Sequence, residues 1–282
     1  MNCNNRESAF NTMRTAVLTA YPKIFTDIEY SSEIFFAAAK CATEYGFSFR
    51  PSLFVSKMAV EIEARHKAMN IALDRALNGG SLVIELGAGL SPRRAQYENA
   101  DYIEIDHKQI SEMKARIYEG IGLSELAGGL CAVDLKETDA FSRALESAGA
   151  SEHRNVIVLS EGLFWYLERR DILAVANALS VALRGVDWVW VSADCPTGDK
   201  RDASYRKVIV DSSKRGEAKP FVDFEEFRDF FVECGFSVER NKLTDFVMPK
   251  EIYSGKFFSV SERQVAQRMN NYTDIALLKK KA

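Results

Sequence analysis

The chain has only three histidines in 282 residues (His66, His107 and His153), and its five cysteines, Cys3, Cys41, Cys131, Cys195 and Cys234, lie far apart. No pair has CxxC or metal-ligand spacing, and an odd set of scattered thiols is no disulfide framework. A metal site is therefore not expected, and a reducing compartment, the cytoplasm, suits these cysteines better than secretion. No apolar run approaches the ~20 residues needed to span a bilayer. Met1 to Arg14 carries Arg6, Glu7 and Arg14 without the apolar centre of a signal peptide. An excess of one charge is also missing: 37 Lys+Arg against 40 Asp+Glu leave −3, which excludes a strongly basic nucleic-acid binder. What remains, 47% hydrophobic and 27% charged residues, is the composition of a globular chain able to bury a core without disulfides.

The apolar pattern divides the chain near residue 80. Before it, Ser31 to Tyr45 and Ser56 to Leu77 have helical spacing, with a turn-rich break at Phe47 to Pro51 and a stop at Asn78-Gly79-Gly80. After it, short apolar runs alternate with helical stretches. Leu82–Leu86, Tyr102–Ile105, Leu130–Val133, Val156–Leu159 and Trp188–Val191 read as strands. Gln109–Glu119, Asp139–Ala148 and Arg170–Ala182 read as the helices between them. That alternation predicts an α/β fold with a parallel sheet covered on both faces. Phe236–Asn241 and Thr273–Leu278 read as a closing strand hairpin with no dominant helix between them, and Lys279 to Lys281 as a solvated tail. The expected organisation is a helical cap over 1–80 and an α/β core over 81–282, with a substrate-side insertion at about 195–220.

The central motif is Val83-Ile84-Glu85-Leu86-Gly87-Ala88-Gly89-Leu90-Ser91-Pro92. Gly87 and Gly89 allow a tight turn and close approach of a ligand to the main chain. Ser91 is placed to cap the next helix, with Pro92 in its first turn. A dinucleotide fingerprint needs a third glycine where this chain has Pro92, and no Lys-Ser/Thr follows to make a P-loop. A nicotinamide-dependent oxidoreductase is thus the weaker enzymatic alternative. Four acids, Glu85, Asp106, Asp134 and Glu161, fall where successive strands give way to loops, on one predicted edge of the sheet. Any one of them could be a helix cap or a turn residue. Together with glycine backbone and without an anion clamp, they suit a cationic ligand rich in hydroxyls. S-adenosylmethionine fits that description and a pyrophosphate does not.

Glu-Leu-Gly-Ala-Gly-Leu-Ser-Pro-Arg at 85–93, Ile-Glu-Ile-Asp at 103–106 and Ser-Glu-Gly-Leu-Phe-Trp-Tyr-Leu at 160–167 resemble the leucine carboxyl methyltransferase family. Within it the bacterial branch with the tetracenomycin-type O-methyltransferases is most similar. The resemblance covers roughly residues 50 to 195. It implies the class I methyltransferase fold, Rossmann-like, with seven strands of which the last is antiparallel, and Thr273–Leu278 would be that strand. It implies S-adenosylmethionine as cofactor. Carried over residue by residue, Asp106 would accept the ribose hydroxyls and Asp134 the adenine amino group, with Leu135 against the ring. Glu161 would hold the methionyl ammonium and Arg65 the methionyl carboxylate, with Lys57 assisting. Glu85, Gly87 and Gly89 complete the cofactor set, and Glu104 would be a structural neighbour.

For the acceptor, a carboxylate is already ionised at pH 7 and needs no base, whereas a phenol with pKa about 10 needs one. None of the three histidines falls clearly on the acceptor side, which favours a small-molecule carboxylate. Tyr166, Trp165 and Asp194 are the acceptor-side candidates, and a base among them would instead point to a hydroxyl acceptor. Between 199 and 219 seven basic residues face four acids, a local excess that could attract an acidic substrate or simply be a solvated helix face. Phe224, Phe227 and Phe231 recur at helical spacing and read as core. A protein that binds the cofactor but transfers nothing is the non-enzymatic alternative.

Overall fold

The computed structural model describes residues 13–44, 58–197 and 221–280. The break at Phe47 to Pro51, Lys57, and all but the first three residues of the 195–220 insertion, with its basic excess, lie outside the described residues. Seven strands form one sheet: β1 (Ser81–Leu86), β2 (Asp101–Asp106), β3 (Leu130–Ala132), β4 (Asn155–Ser160), β5 (Asp187–Cys195), β6 (Phe236–Lys242) and β7 (Asp274–Lys280). Their spatial order is β3-β2-β1-β4-β5-β7-β6. The first five are mutually parallel, and β7 runs antiparallel to both β5 and β6. The order reverses between β1 and β4, and that reversal opens a crevice at the carboxyl ends of the strands, the ligand position of doubly wound sheets.

Helices among the described residues include α1 (Ser31–Glu44), α2 (Ala59–Ala76), α3 (Lys108–Gly120), α4 (Thr138–Ser147), α5 (Arg169–Ala182), α6 (Phe224–Glu233) and α7 (Glu262–Tyr272), with single turns at Arg93–Gln96 and Tyr253–Phe257. Period-two alternation sends the two halves of each strand to different helices. Leu82, Ile84 and Leu86 of β1 and Val156 and Val158 of β4 join Phe141 and Leu145 of α4, Ile172, Val175 and Leu179 of α5, and Phe227 and Phe231 of α6. Val83, Ile157 and Leu159 face the other way, onto Val60, Ala64, Ala68 and Met69 of α2 and Val265 and Met269 of α7. The small residues of α2 let the helix lie close to the strands. A third cluster packs Ile34, Phe35 and Ala38 of α1 against Ile110, Met113 and Ile117 of α3.

Three local expectations change. Pro92, not Ser91, is the N-cap of the turn at Arg93; Ser91 stands one residue earlier, where its hydroxyl accepts the Arg93 N–H at 3.3 Å. β6 and β7 do pair antiparallel, but α7 intervenes, closed at its start by reciprocal Ser261 and Gln264 contacts. α7 is mostly polar and buries only Val265, Met269 and Tyr272, a stripe too narrow to stand out in the sequence. Lys279 and Lys280 are strand residues and not a free tail: Lys279 pairs with Val189 and Ser237, and the Lys280 ammonium donates to the Cys234 carbonyl at 2.6 Å. Lys281 lies outside the described residues. Among the described residues no helix is long and apolar enough to cross a membrane.

Glu85 and Glu104 are register partners on neighbouring strands, so two carboxylates lie side by side on the α2 face. Each has its own cation, Arg93 for Glu85 and Lys114 of α3 for Glu104, and each accepts a tyrosine hydroxyl, Tyr102 and Tyr118 respectively. Lys114 and Glu104 are wholly buried. Lys114→Met should therefore lower unfolding stability by about 3–5 kcal/mol, since an unpaired buried carboxylate remains. The double change Glu104→Leu with Lys114→Met should recover most of that loss in urea denaturation.

Candidate active site

At the switch point, β1 ends in a turn whose geometry requires glycine. Gly87 has φ +62° and Gly89 φ +51°. A Cβ at Gly87 would stand 2.7 Å from the Leu163 Cδ1, so the loop after β4 lies directly against the turn. The Gly87 N–H donates to the Ile105 carbonyl at 2.8 Å, tying the turn to β2. Asp106, the last residue of β2, receives the Gly89 N–H on one oxygen and the His107 N–H on the other, both at 2.7 Å. Burial raises its carboxyl above the usual range, partly offset by those two N–H groups. Asp106 does not cap α3, whose N-cap is His107 without a side-chain contact. Its second lone pairs are left for a ligand's hydroxyls.

Asp134 stands in the turn after β3, half-exposed. It accepts the Lys136 N–H at 3.0 Å and has His107 Nδ1 3.7 Å away. The Val133 N–H donates to the Asp106 carbonyl at 2.9 Å, so Asp106 and Asp134 belong to adjoining strand ends. Leu135 is buried beside them.

Glu161, just past β4, is the centre of the charge cluster. Its Oε1 accepts from Arg65 Nε at 3.0 Å and lies 2.9 Å from the same guanidinium's Nη2. Its Oε2 accepts from Arg93 Nη2 at 2.6 Å. Burial opposes its ionisation, but Arg65, Arg93 and Lys23 outweigh that and hold the carboxyl well below the usual carboxylate range. Arg65 also donates to the Tyr272 hydroxyl at 3.1 Å and stacks over that ring at 5.3 Å. Gly162, at φ +71°, leaves room for the guanidinium 3.9 Å from where a Cβ would be. Arg65 and Glu161 are thus brought into direct contact. Glu85 is not at the open edge: it lies beneath Arg93, with both oxygens engaged.

Three members of this cluster, Arg93, His66 and Lys23, have roles that the sequence does not assign, although Arg93 closes the motif at 85–93. Arg93 is fully buried (0% exposed). Besides Glu85 and Glu161 it donates to Asn70 Oδ1 at 2.8 Å and to His66 Nδ1 at 3.2 Å. His66 in turn meets Gln96 Oε1 at 3.0 Å through Nε2. Burial, Arg93 and Lys23 push its pKa well below the usual imidazole value, so it is neutral. Lys23, in the 3-10 turn Tyr21–Phe25, is 8% exposed. Burial lowers its ammonium to about 8, with Glu161 pulling up against Arg93 and Arg65. A lysine after a proline and an arginine after Ser-Pro look like solvated residues until the fold gathers them.

On the other side of the switch point, Phe164–Tyr166 forms a 3-10 turn. Phe164 is core, stacked at 6.0 Å on Phe231 in the aromatic cluster of α6, while Trp165 and Tyr166 are half-buried on the α2 face. Asp194, at the end of β5, accepts the Phe164 N–H at 3.1 Å and the Ser192 hydroxyl at 3.2 Å. Burial raises its carboxyl, partly offset by the Phe164 N–H, Ser160 and Arg65. Among the described residues no group of three or more potential ligands could hold a metal ion.

Seven strands in the order β3-β2-β1-β4-β5-β7-β6 with β7 alone antiparallel make the class I methyltransferase sheet. The family model of leucine carboxyl methyltransferases matches residues 42–180, just under half of the chain, from the end of α1 to the last turn of α5. Sheet and match agree on the fold: the chain has a class I methyltransferase sheet and is similar to the leucine carboxyl methyltransferases over residues 42–180. Solved structures similar to it include a mitomycin 7-O-methyltransferase, with 11% identity, TM-score 0.46 and 86% of this chain covered. This chain spans 58% of the length of that protein. They also include the magnesium protoporphyrin IX methyltransferase of Synechocystis PCC 6803 with bound S-adenosylhomocysteine (13% identity, 85% of this chain and 92% of that one, TM-score 0.46). An S-adenosylmethionine-dependent methyltransferase from Anabaena variabilis ATCC 29413 is a third (13%, 78% and 86%, 0.49). No curated protein matches the chain.

Gly87→Ala should destabilise the fold by about 1–2 kcal/mol from the left-handed backbone alone, and by more because Leu163 must move. Gly89→Ala meets only backbone 3.9 Å away and should lose the smaller amount, a difference that urea unfolding will resolve.

Proposed function

We propose that this protein is an O-methyltransferase that esterifies a carboxylate of a small molecule, using S-adenosylmethionine. The observation that carries the reading is the charge cluster around Glu161 at the end of β4, on the other side of the glycine turn from Asp106. A methionyl group bears one ammonium and one carboxylate. Glu161 is the anion for the first, and Arg65 and Lys23 are buried cations for the second, a role for Lys23 beyond the residues expected from sequence. Asp106 would take the ribose hydroxyls, Asp134 the adenine amino group and Leu135 the ring, with Gly87 and Gly89 giving access to the main chain. Glu85 would act from beneath, through Arg93.

When bound, the cofactor supplies a methyl group made electrophilic by its sulfonium. What the chain adds is alignment of the acceptor behind that methyl, and orientation of this kind can be worth ~7–11 kcal/mol. A carboxylate acceptor is supported by where the histidines lie. His66 is neutral and committed to Arg93 and Gln96, His107 stands by Asp134, and His153 meets the Gly80 carbonyl at the amino end of β1. Asp194, raised by burial, is the one observation that favours a hydroxyl acceptor instead, with Trp165 and Tyr166 beside it as walls.

Incubation with methyl-labelled S-adenosylmethionine and a panel of small carboxylic acids and phenols separates the two. Esters release labelled methanol in mild alkali and aryl ethers do not; label found only in alkali-stable product would overturn the carboxylate reading. Asp106→Ala should weaken S-adenosylhomocysteine binding by ~1.5–3 kcal/mol in calorimetry. Arg65→Ala should weaken S-adenosylmethionine binding and leave adenosine binding nearly intact. Lys23 is charged below about 8 and neutral above it. Affinity for S-adenosylhomocysteine should therefore be flat through pH 7 and fall as pH rises past 8, and Lys23→Arg should move that fall to higher pH.

A further inference from the structure

We infer that Arg93 is the positioning residue of the methionyl subsite: it is the fixed cation that keeps Glu161 aimed, while the Arg65–Glu161 pair opens to admit the two ends of the cofactor's amino acid. The inference rests on the reading that Glu161 and Arg65 hold the methionyl group. It assigns the two arginines on one carboxylate different tasks, because their surroundings differ.

Arg93 is wholly buried and each of its three nitrogens is committed: Nη1 to Glu85, Nε to Asn70, Nη2 to both His66 and Glu161. Withdrawing it from Glu161 would break contacts to β1 and α2 together and leave Glu85 as a buried carboxylate without a counter-charge. Arg65 lies nearer the surface. It borders Gly162, its side chain is 11% exposed, and it keeps the Tyr272 hydroxyl and ring when it lets Glu161 go. The Arg65–Glu161 pair is thus matched in charge to a methionyl group: the ammonium would take the place of Arg65 on Glu161 Oε1, and the carboxylate that of Glu161 on Arg65. The ammonium replaces one positive charge on Glu161 by another, and the carboxylate replaces one negative charge on Arg65 by another. Arg93 supports the exchange by holding Oε2 throughout. Its Nη2 also donates to His66 Nδ1, which keeps that imidazole from competing for Glu161.

The test compares S-adenosylhomocysteine with 5′-methylthioadenosine, the same nucleoside without the amino-acid carbons, by calorimetry at pH 7.5. Arg93→Gln should weaken S-adenosylhomocysteine roughly 10- to 100-fold, the range of a charge-assisted contact, and change 5′-methylthioadenosine by less than about threefold. Arg93→Lys should recover part of the loss. In the Glu161→Gln background, Arg93→Gln should have little further effect, because a residue that works through Glu161 has nothing left to position. If Arg93→Gln is not folded, Glu85→Gln with Arg93→Gln removes both charges of the pair and serves in its place. Equal loss of both ligands, or losses that add in the double variant, would overturn the inference and mark Arg93 as purely a folding element. Normal S-adenosylhomocysteine binding by Glu161→Gln would instead remove the reading beneath it, and the role of Arg93 with it.

Discussion

The structure turns on one guanidinium. Arg93 is fully buried and joins the β1 carboxylate of Glu85 to the loop carboxylate of Glu161, with α2 held through Asn70 and His66. Three elements that a doubly wound sheet leaves independent at its switch point, the first strand, the loop after the fourth and the helix packed over both, are thereby given one geometry. Burying so much charge is costly unless every member has a partner. Here every carboxylate oxygen in the cluster has a donor, and the neighbouring Glu104–Lys114 pair repeats the arrangement one strand over.

From that constraint the polarity of the site follows. The glycine turn and Asp106 offer main-chain approach and a carboxylate on the β2 side, where a sugar and base can lie along adjoining strand ends. The Glu161 cluster offers charge of both signs on the β4 side. The crevice thus has main-chain groups and carboxylates at one end and charges of both signs at the other. A pyrophosphate would meet carboxylates at the first end, which is the physical reason a dinucleotide suits this turn poorly.

Much of this was legible in the sequence, for a simple reason. Strands buried on both faces read as largely apolar runs, and each of the first four has an acid at or within two residues of its end, so the strand ends and Asp106, Asp134 and Glu161 could be placed together. What was not legible depends on burial of polar residues. α7 was hidden because Val265, Met269 and Tyr272 are its only buried positions. Lys279 and Lys280 looked like a tail because their strand partners are far away in the chain. Arg93, Lys23 and His66 escaped notice because their roles exist only once β1, α2 and the Tyr21–Phe25 turn meet. Glu85 shows the same limit from the other side: its position marked it as a ligand residue, and alternation along β1 turns it inward beneath Arg93.

The Arg65–Tyr272 contact bridges 207 residues of sequence, and Lys23 reaches the same cluster from the opposite end of the chain. The cofactor crevice is therefore bounded by nearly the first and nearly the last described segments. During synthesis the parallel strands β1 to β5 can assemble while Tyr272 is still unmade, but the Arg65 end of the crevice stays incomplete until α7 arrives. Completion of this end of the crevice is in this sense a property of the finished polypeptide, and a chain stopped short of α7 would carry the glycine turn, Asp106, Asp134 and Glu161 without the closure that Tyr272 gives Arg65.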